Sequence, residues 1–360
     1  MIYIGAEVIV SPLGDNAEDN WQAISANRSG IALVPSAGFN GEDIHLARIA
    51  ALNGSLRFQQ LVVKALSTLV AKIDASIVSS DRTMVLISST KGALDDNIND
   101  QFSETNVAVQ QQLGLAHLPM VISNACISGV LALNAAGNMI KNGQFEHVIV
   151  VGCDLASDFV LYGFQSLFAV SDKPCAPFDA ARNGITLGEG SGAVLVSGTK
   201  SVFKDPPLEL LTGTSANDAN HISGPSRTGE GLVRSVLKTL RYNDVSGDEI
   251  DFISAHGTGT IFNDEMESIA FDSMNLSHIP LNSLKGYYGH TLGAAGVIET
   301  TVSMQMIRNG MLLESLGYLN NGVSRPLNII TKNTRASLKT VLKTASGFGG
   351  GNASLLIRKI

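Results

Sequence analysis

A cysteine separates an apolar segment from a helix-like stretch in residues 121–129 (VISNACISG). This order predicts Cys126 at a sharp strand-to-helix turn, where the helix N-terminus offers unpaired N–H groups and a partial positive charge. Both features favour the thiolate, so we expect a lowered pKa for the Cys126 thiol and a role as nucleophile. An inert buried cysteine explains the segment equally well when it is taken alone, because free cysteine is among the most buried residue types.

A histidine ends an apolar strand in the second half of the chain. His256 is followed by a flexible, hydroxyl-rich loop in residues 254–260 (SAHGTGT). Strand ends of α/β sheets are where ligands bind, so His256 is a candidate for the site. A core histidine that is hydrogen-bonded to backbone is the alternative.

Lys285 and His290 stand in a glycine-interrupted loop, residues 283–296 (SLKGYYGHTLGAAG). The Gly/Ala run at its end predicts a helix that packs very close to its neighbour. Glu299 follows inside this helix, where apolar surroundings would demand a partner for its charge. A surface lysine and a capping histidine are the alternative for the pair.

A single aromatic residue lies within a glycine run near the end of the chain, residues 346–352 (SGFGGGN). Phe348 could swing as a gate with Gly349 and Gly350 as hinges. Its backbone N–H could also help to form an oxyanion hole. An ordinary flexible turn before the last strand is the alternative.

The segments that would carry these residues alternate between strand-like and helix-like patterns, which implies an α/β architecture. Residues 147–152 and 192–197 are almost entirely apolar, a composition that is typical of strands buried on both faces of a sheet. Asp15, with Glu18 three residues on, would cap the first helix, and strong helical periodicity marks the second, residues 56–73. The predicted strands are 83–89, 119–124, 147–152, 192–197, 252–255 and 353–358, and the predicted helices are 15–26, 56–73, 127–141, 265–273 and 296–309.

One charged stretch with two prolines, Lys200 to Pro207, is the most linker-like part of the chain. We therefore predict a division into two similar halves, 1–200 and 201–360. The first half would carry Cys126, and the second both histidines and the glycine loop.

Composition narrows the functional class. The chain has 360 residues, 44% of them hydrophobic, which allows one large or two fused domains. A net charge of −7 disfavours nucleic acid and anionic membranes as partners. Three cysteines without paired spacing favour a reducing compartment, here taken as the cytoplasm, and no Cys/His spacing resembles a zinc site. No apolar run approaches the roughly 20 residues that span a bilayer.

Taken together and in this order, these segments resemble the β-ketoacyl-[acyl-carrier-protein] synthases of the KAS I/II type, in the thiolase superfamily. That family shows a Cys in a small-residue turn, then HGTxT, then K-x4-H-x2-GAAG, then GFGG. This chain shows NACISG, HGTGT, KGYYGHTLGAAG and GFGGGN. Residues 177–190 are also similar to the family's PFDxxRxGxxxGEG stretch, as are residues 11–14 with Trp21 beyond them.

The resemblance implies a thiolase fold, with two pseudo-symmetric halves in five αβαβα layers, and an acyltransferase that forms carbon–carbon bonds. Cys126 would accept an acyl chain, and a malonyl group on an acyl carrier protein would lose CO2 and attack that thioester. His256 and His290 would donate to the malonyl thioester oxygen and stabilise the enolate. Lys285 would add positive charge and orient the neighbouring histidine or Glu299.

The resemblance also implies the remaining parts of the site. Backbone N–H groups of Cys126 and Phe348 would hold the oxyanion, and Asp264, Glu267 and Glu299 would support the site. No metal or bound cofactor is implied, because the phosphopantetheine arrives on the carrier. The implied partners are the acyl carrier protein and either a second copy of the chain or a second ketosynthase-like subunit.

This chain departs from the family at several positions. The segment before Cys126 is short, so we expect part of the usual cap over the pocket to be trimmed. Ala176 replaces a common carrier-docking arginine, for which Lys173, Arg57 or Lys64 would have to substitute. Further departures, expected to loosen, narrow or polarise the site, are Gly351, Gly259, Tyr287 and Tyr288.

Other functional classes fit the residues less well. A thiolase would need a second catalytic cysteine where Phe348 stands, and a KAS III type would have Asn in place of His290. A chain-length-determining partner subunit would lack the nucleophile, and a cysteine hydrolase would have little use for paired histidines beside a lysine. The pathway stays open between fatty acid synthesis and a specialised polyketide or polyene pathway, towards which the trimmed cap and the tyrosine pair point.

Overall fold

In the computed structural model, residues 1–218 and 226–360 are described. The strands are β1 (Tyr3–Val10), β2 (Ala32–Val34), β3 (Ile44–Ala47), β4 (Thr83–Ser88), β5 (Met120–Ile122), β6 (His147–Asp154), β7 (Leu187–Gly188), β8 (Gly190–Ser197), β9 (Leu208–Leu210), β10 (Thr214–Asn217), β11 (Phe252–Ser254), β12 (Leu281–Asn282), β13 (Met311–Leu312), β14 (Thr334–Arg335), β15 (Thr340–Gly347) and β16 (Gly351–Arg358). The α-helices are α1 (Ala17–Ser25), α2 (Arg57–Val70), α3 (Ala75–Val78), α4 (Ser103–Leu113), α5 (Ser128–Lys141), α6 (Asp158–Ser166), α7 (Glu230–Tyr242), α8 (Ile261–Ser273), α9 (Lys285–Tyr288) and α10 (Ala295–Asn309).

The central sheet contains the same topology twice. One set of strands runs in the order β5-β4-β6-β8-β1, and the other in the order β12-β11-β15-β16-β10. In each set the first three strands are parallel and the last two join antiparallel. Strand β9 pairs with both β1 and β16 and so connects the sets into one sheet. The predicted pseudo-symmetric halves are therefore confirmed.

Helices lie on both faces of these strands. Val148 and Val150 of β6 belong to a core shared with α5 and α10, whereas Ile149 and Val151 belong to a core shared with α2. In the other set, Val341 faces α10 and Leu342 faces α7 and α8. The successive layers are α2, the first strand set, α5 with α10, the second strand set, and α7 with α8, which is the predicted αβαβα arrangement.

The two central helices touch at their backbones. A Cβ atom added to Gly129 of α5 would lie 2.9 Å from Gly296 Cα, and one added to Gly296 of α10 would lie 2.5 Å from Val130 N. Only glycine permits this approach. The Gly/Ala run therefore does what the sequence predicts, and it brings together the helices that begin near Cys126 and near His290.

Some predicted boundaries are wrong for local reasons. The N-cap of α1 is Asn16, whose side chain accepts the Asp19 N–H at 2.9 Å, while Asp15 pairs with Lys64 at 2.6 Å. Helix α8 begins at Ile261 and not at residue 265, because the Thr260 side chain caps it. No helix of the described residues is both long and apolar enough to cross a membrane. The division at residue 200 stays a prediction.

Candidate active site

Cys126 lies in the turn between β5 and α5. Ala125 has a φ of 44°, a left-handed conformation that is costly for a residue with a Cβ atom. The Ser128 hydroxyl holds the turn, since it accepts the Asn124 N–H at 2.8 Å and donates to the Ala125 carbonyl at 2.6 Å. The Cys126 side chain is thereby placed at the floor of a cavity, as the strand-to-helix pattern predicts.

The charge state of this thiol differs from the sequence expectation. Burial raises the pKa of Cys126 to about 12, against opposing effects of the Lys285 ammonium and the N–H groups of Phe348 and of Cys126 itself. Removal of the sulfur from water destabilises the thiolate more than the partial positive charge of the helix N-terminus stabilises it. The expected lowered pKa is therefore wrong, and the resting thiol is neutral near pH 7.

His290 meets the sulfur directly. Its Nε2 lies 3.0 Å from Cys126 Sγ, and the Leu292 N–H donates to its Nδ1 at 3.3 Å. Because Nδ1 accepts, the ring proton of the neutral imidazole is on Nε2 and faces the sulfur. Burial, followed by the charges of Lys285 and Lys343, lowers the pKa of His290 well below its usual value. His290 thus acts as a neutral donor.

His256 stands beside His290 in the same state. The two ring centroids are 5.2 Å apart with the planes at 79°. Lys285 Nζ lies 3.4 Å from His256 Nδ1 and donates to the His256 carbonyl at 2.5 Å. An ammonium can only donate, so it leaves the His256 proton on Nε2. Burial and the Lys285 charge lower the pKa of His256 well below its usual value.

The thiol and the imidazoles form one cluster. One potential metal-ligand atom from each of Cys126, His256 and His290 lies within 4.8 Å of the other two. A histidine binds a metal through the lone pair of a ring nitrogen. In both of these rings the nitrogen that faces the cluster, Nε2, carries a proton instead. The arrangement favours hydrogen-bond donation to an oxygen in the cavity.

Behind the histidines lies a buried ionic cluster. Glu299 Oε1 is 2.7 Å from Lys285 Nζ, and Glu299 Oε2 is 2.6 Å from Lys343 Nζ. Burial opposes the Glu299 charge, but the two ammonium groups outweigh it and lower the pKa of this carboxyl. The buried Glu299 carboxylate therefore has two cationic partners: Lys285, which was expected, and Lys343, which the sequence reasoning missed.

The predicted supporting carboxylates hold the loop after β11. Glu267 accepts the N–H groups of His256 at 2.8 Å and Gly257 at 2.6 Å. Asp264 accepts the Thr258 N–H at 2.9 Å. Burial raises the pKa of Glu267 to about 7, with the Asp264 charge as the next cause. Both residues come from α8, so that helix fixes the backbone of His256.

One of the two glycines that were expected to loosen the site is instead required by close packing. Gly259 has a φ of 77°, and a Cβ atom there would lie 2.9 Å from the Gly184 carbonyl oxygen, which is a backbone atom. The expectation of a looser site is therefore wrong at Gly259. A Cβ atom on Gly351 would lie 2.8 Å from Ile127 Cδ1, the end of a side chain that can rotate away, so the expectation for Gly351 stays a prediction.

The glycine loop after β15 approaches the nucleophile. Gly349 and Gly350 have φ values of 84° and 77°. The backbone N–H of Phe348 lowers the pKa of the Cys126 thiol against the effect of burial. The Phe348 ring stacks on Phe164 of α6, with centroids 5.5 Å apart and planes at 23°. The residues proposed for gate and oxyanion hole therefore lie beside Cys126.

The cavity above the cluster has a volume of about 520 Å³. Its floor is polar, and its rim exposes large apolar side chains together with one arginine. These rim residues are Leu167, Phe168, Ile261, Phe262 and Arg227. The candidate docking cations do not line it: Arg57 pairs with buried Glu189 at 2.7 Å, Lys64 pairs with Asp15, and Lys173 lies outside the lining.

The tyrosine pair does not shape this cavity. Tyr287 and Tyr288 are 0% and 2% exposed and pack in the central core. The Tyr287 hydroxyl lies 3.0 Å from Asn27 Oδ1 and 3.2 Å from the Glu314 carbonyl oxygen, within hydrogen-bond distance of both. The expectation that these residues narrow or polarise the pocket is wrong, because the short helix α9 turns both rings inward.

Another residue missed from the sequence is Asp154, at the end of β6. Its carboxylate accepts the Gly293 N–H at 2.7 Å and the Ser89 hydroxyl at 2.7 Å, and so ties the loop after His290 to the first strand set. Burial raises its pKa to about 6. An acid that ends a fully apolar strand was a usable signal, as was the lone lysine at 343 in the apolar strand β15.

Comparison with known families covers most of the chain. The family described as "Beta-ketoacyl synthase, N-terminal domain" matches residues 71–201. The family described as "Beta-ketoacyl synthase, C-terminal domain" matches residues 210–318.

Individual relatives and one solved structure extend this similarity over the full length. A putative mitochondrial 3-oxoacyl-[acyl-carrier-protein] synthase of Schizosaccharomyces pombe is 27% identical over 97% of both chains. The 3-oxoacyl-[acyl-carrier-protein] synthase 2 of Coxiella burnetii is 25% identical over 98% of this chain and 97% of its own. A solved complex of the ketosynthase ApeO with its chain length factor ApeC from Xenorhabdus doucetiae contains a chain with a TM-score of 0.91 and 26% identity, matched over 100% of this chain and 98% of its own.

Proposed function

The chain belongs to the β-ketoacyl synthase family, and from that membership we propose that it condenses a Cys126-bound acyl chain with a malonyl group on an acyl carrier protein. The observation that carries this proposal is the neutral pair His256 and His290 beside the thiol. Two N–H donors that point into a buried cavity suit an oxygen on which negative charge develops. The product would be a 3-oxoacyl chain on the carrier, with CO2 released.

The first step is acyl transfer to Cys126. The Cys126 sulfur attacks the incoming thioester carbonyl, and the thiol proton passes to the departing carrier sulfur, so that the carrier leaves as a free thiol and no net proton is released. The N–H groups of Cys126 and Phe348 hold the oxyanion that forms in between.

The second step is decarboxylation and condensation. The malonyl thioester oxygen lies between the Nε2–H groups of His256 and His290, so that CO2 leaves and the charge remains as an enolate on that oxygen. The enolate carbon then attacks the Cys126 thioester, the C–S bond breaks, and the sulfur takes up from solvent the one proton that the overall condensation consumes. The Lys285 ammonium favours the enolate electrostatically, because Lys285 and both histidines are buried and solvent screens the charge only weakly there.

The site needs no further group for this chemistry in our proposal. The carrier supplies phosphopantetheine, and no other cofactor and no metal take part. A reducing compartment, which we take to be the cytoplasm, suits the three free cysteines, which are all buried.

We propose that the chain works in a pair, either with a second copy or with a ketosynthase-like subunit. Edge strand β5 directly precedes the nucleophile, and within the described residues it pairs only with β4. Leu118 and Met120 beside this edge are 50% and 44% exposed. An uncovered apolar sheet edge favours pairing with another chain. The solved ketosynthase of Xenorhabdus doucetiae, which is in complex with its chain length factor, leads us to prefer a specialised pathway over fatty acid synthesis.

The two other classes considered from the sequence lack a supporting observation. A chain-length-determining partner subunit would lack the nucleophile, whereas this chain has a buried cysteine beside two oriented histidines. A cysteine hydrolase needs a histidine that takes a proton from the water that releases the acyl group. His290 instead presents its proton to the sulfur, because Leu292 donates to the other ring nitrogen.

Intact-mass analysis tests the first step. Incubation with an acyl-carrier donor should add one acyl group to the protein, and Cys126→Ala should abolish the adduct. The matched control is Cys153→Ala, since that thiol is also buried but lies in the core beneath α2. An adduct that survives Cys126→Ala, or CO2 release from malonyl carrier that is unchanged in His256→Ala, would overturn the assignment.

A further inference from the structure

A second buried lysine lies behind the histidine pair. Lys343 is 0% exposed and stands in the middle of β15, in register with Ser254 of the neighbouring strand β11. A lysine in the interior of a protein is costly unless its charge is compensated. The surroundings of this side chain therefore indicate what it does.

The contacts of Lys343 require the charged ammonium form. Its Nζ donates to the carbonyl oxygens of Ser254 at 3.2 Å, Ala255 at 3.3 Å and Thr344 at 2.7 Å. Glu299 Oε2 lies 2.6 Å away as an ion pair. All four neighbours accept, and none of them could donate to the lone pair of a neutral amine. Burial lowers the pKa of Lys343, and the Glu299 charge opposes that effect.

Glu299 therefore serves two ammonium groups. Lys285 occupies one carboxylate oxygen and Lys343 the other, so the three side chains together carry a net charge of +1. Lys285 contacts the His256 ring, and Lys343 holds the carbonyls of the two residues that precede His256.

The remaining ionisable groups around the rings are engaged elsewhere. Glu267 and Asp264 are bonded to the backbone of the His256 loop. Asp154 is bonded to Gly293, and the Cys126 thiol is neutral. None of these groups contacts the Lys343 ammonium, so removal of its charge changes the cluster by one unit.

We propose that Lys343 is a positioning residue for the condensation: its charge, shared through Glu299, keeps both imidazoles neutral and favours negative charge on the oxygen they hold. Only the second of these effects, on the negative charge of the oxygen, rests on the proposed function. A protonated imidazole would turn Nδ1 into a donor, which would face the Leu292 N–H at His290 and the Lys285 ammonium at His256. A nearby positive charge penalises that protonation.

The charge state is measurable without any substrate. In protein with isotope-labelled histidine, NMR titration should show the pKa of His256 and His290 about one unit higher in Lys343→Met than in the wild type. Lys343→Gln should show the same rise while it keeps donors for the carbonyls, and Lys343→Arg should show the wild-type values.

A double variant separates charge from packing. Lys343→Met with Glu299→Gln again leaves one net positive charge, so the histidine pKa values should return towards those of the wild type. If Lys343 has a purely structural role, the double variant should instead be more strongly perturbed than either single variant, and the histidine pKa values should not return towards those of the wild type. Histidine pKa values that stay unchanged in folded Lys343→Gln, or that rise further in the double variant, would overturn the proposal.

The pH profile of malonyl-carrier decarboxylation gives the second measurement. The acidic limb should move to higher pH in Lys343→Gln by the same amount as the histidine pKa, so that kcat falls about tenfold at pH values below the limb of the wild type, with KM unchanged within about twofold. A raised KM with an unmoved limb would contradict the proposal. If the titration shifts as expected and the wild type releases no CO2, the proposed function fails and the charge role of Lys343 stands.

Discussion

The contact between Gly129 of α5 and Gly296 of α10 makes the clearest prediction about how the fold positions the site. In Gly296→Ala the new Cβ atom would lie 2.5 Å from Val130 N, whereas ordinary contacts begin at 3.4 Å. The helices must therefore separate by 3.4 − 2.5, or about 0.9 Å. The obstructing atoms are backbone, so no side-chain rotation relieves the clash.

This separation should cost both stability and activity. Overpacking of this kind costs about 1–3 kcal/mol, which outweighs the gain of up to about 1 kcal/mol that alanine brings to a helix interior. The Cys126–His290 contact of 3.0 Å joins the starts of the same two helices and should lengthen. A displacement near 1 Å at reacting groups lowers kcat by up to about 100-fold.

The assay is urea unfolding together with the rate of 3-oxoacyl formation. The matched control is Gly163→Ala in α6, where an added Cβ atom would meet nothing within 4 Å. That variant should gain about 0.5–1 kcal/mol and keep wild-type activity. If Gly296→Ala unfolds within about 0.5 kcal/mol of the wild type and retains its rate, the backbone contact does not set the spacing of the site.

Three further predictions concern the nucleophile and its gate. Because burial raises the Cys126 pKa, the native thiol should react with iodoacetamide at a rate that climbs about tenfold per pH unit from pH 7 to 9, and a plateau in that range would show a lowered pKa instead. His290→Ala should leave acylation of Cys126 largely intact and abolish condensation; equal loss in the two assays would make His290 structural. Phe164→Ala removes a stacked pair worth about 1 kcal/mol, so limited proteolysis at the Phe348 loop should become about fivefold faster. An unchanged cleavage rate would show that the stack does not hold the gate.

Local structure was predictable where one short pattern carried the information. Helix α2 buries Phe58, Leu61, Val62 and Ala65 at helical spacing, and the apolar strand β6 is buried along its whole length. The start of α8 was missed, because Ile261 and Phe262 are apolar yet exposed on the cavity rim. Apolar residues that line the rim of a cavity do not follow the periodicity of a helix that packs against the core.

The order of thiol, imidazoles, lysine and glycine loop along the chain was enough to indicate the family resemblance that implies the chemistry, since each motif is a property of a few consecutive residues. Distances between them follow from packing: Cys126 and His290 are 164 positions apart in sequence and meet at 3.0 Å because two helices cross at a pair of glycines. The charge states also come from packing, since burial raises the Cys126 pKa and a lysine from β15 completes the Glu299 cluster. Desolvation and Coulomb interactions depend on which atoms surround a group in space, and a one-dimensional pattern does not contain that information.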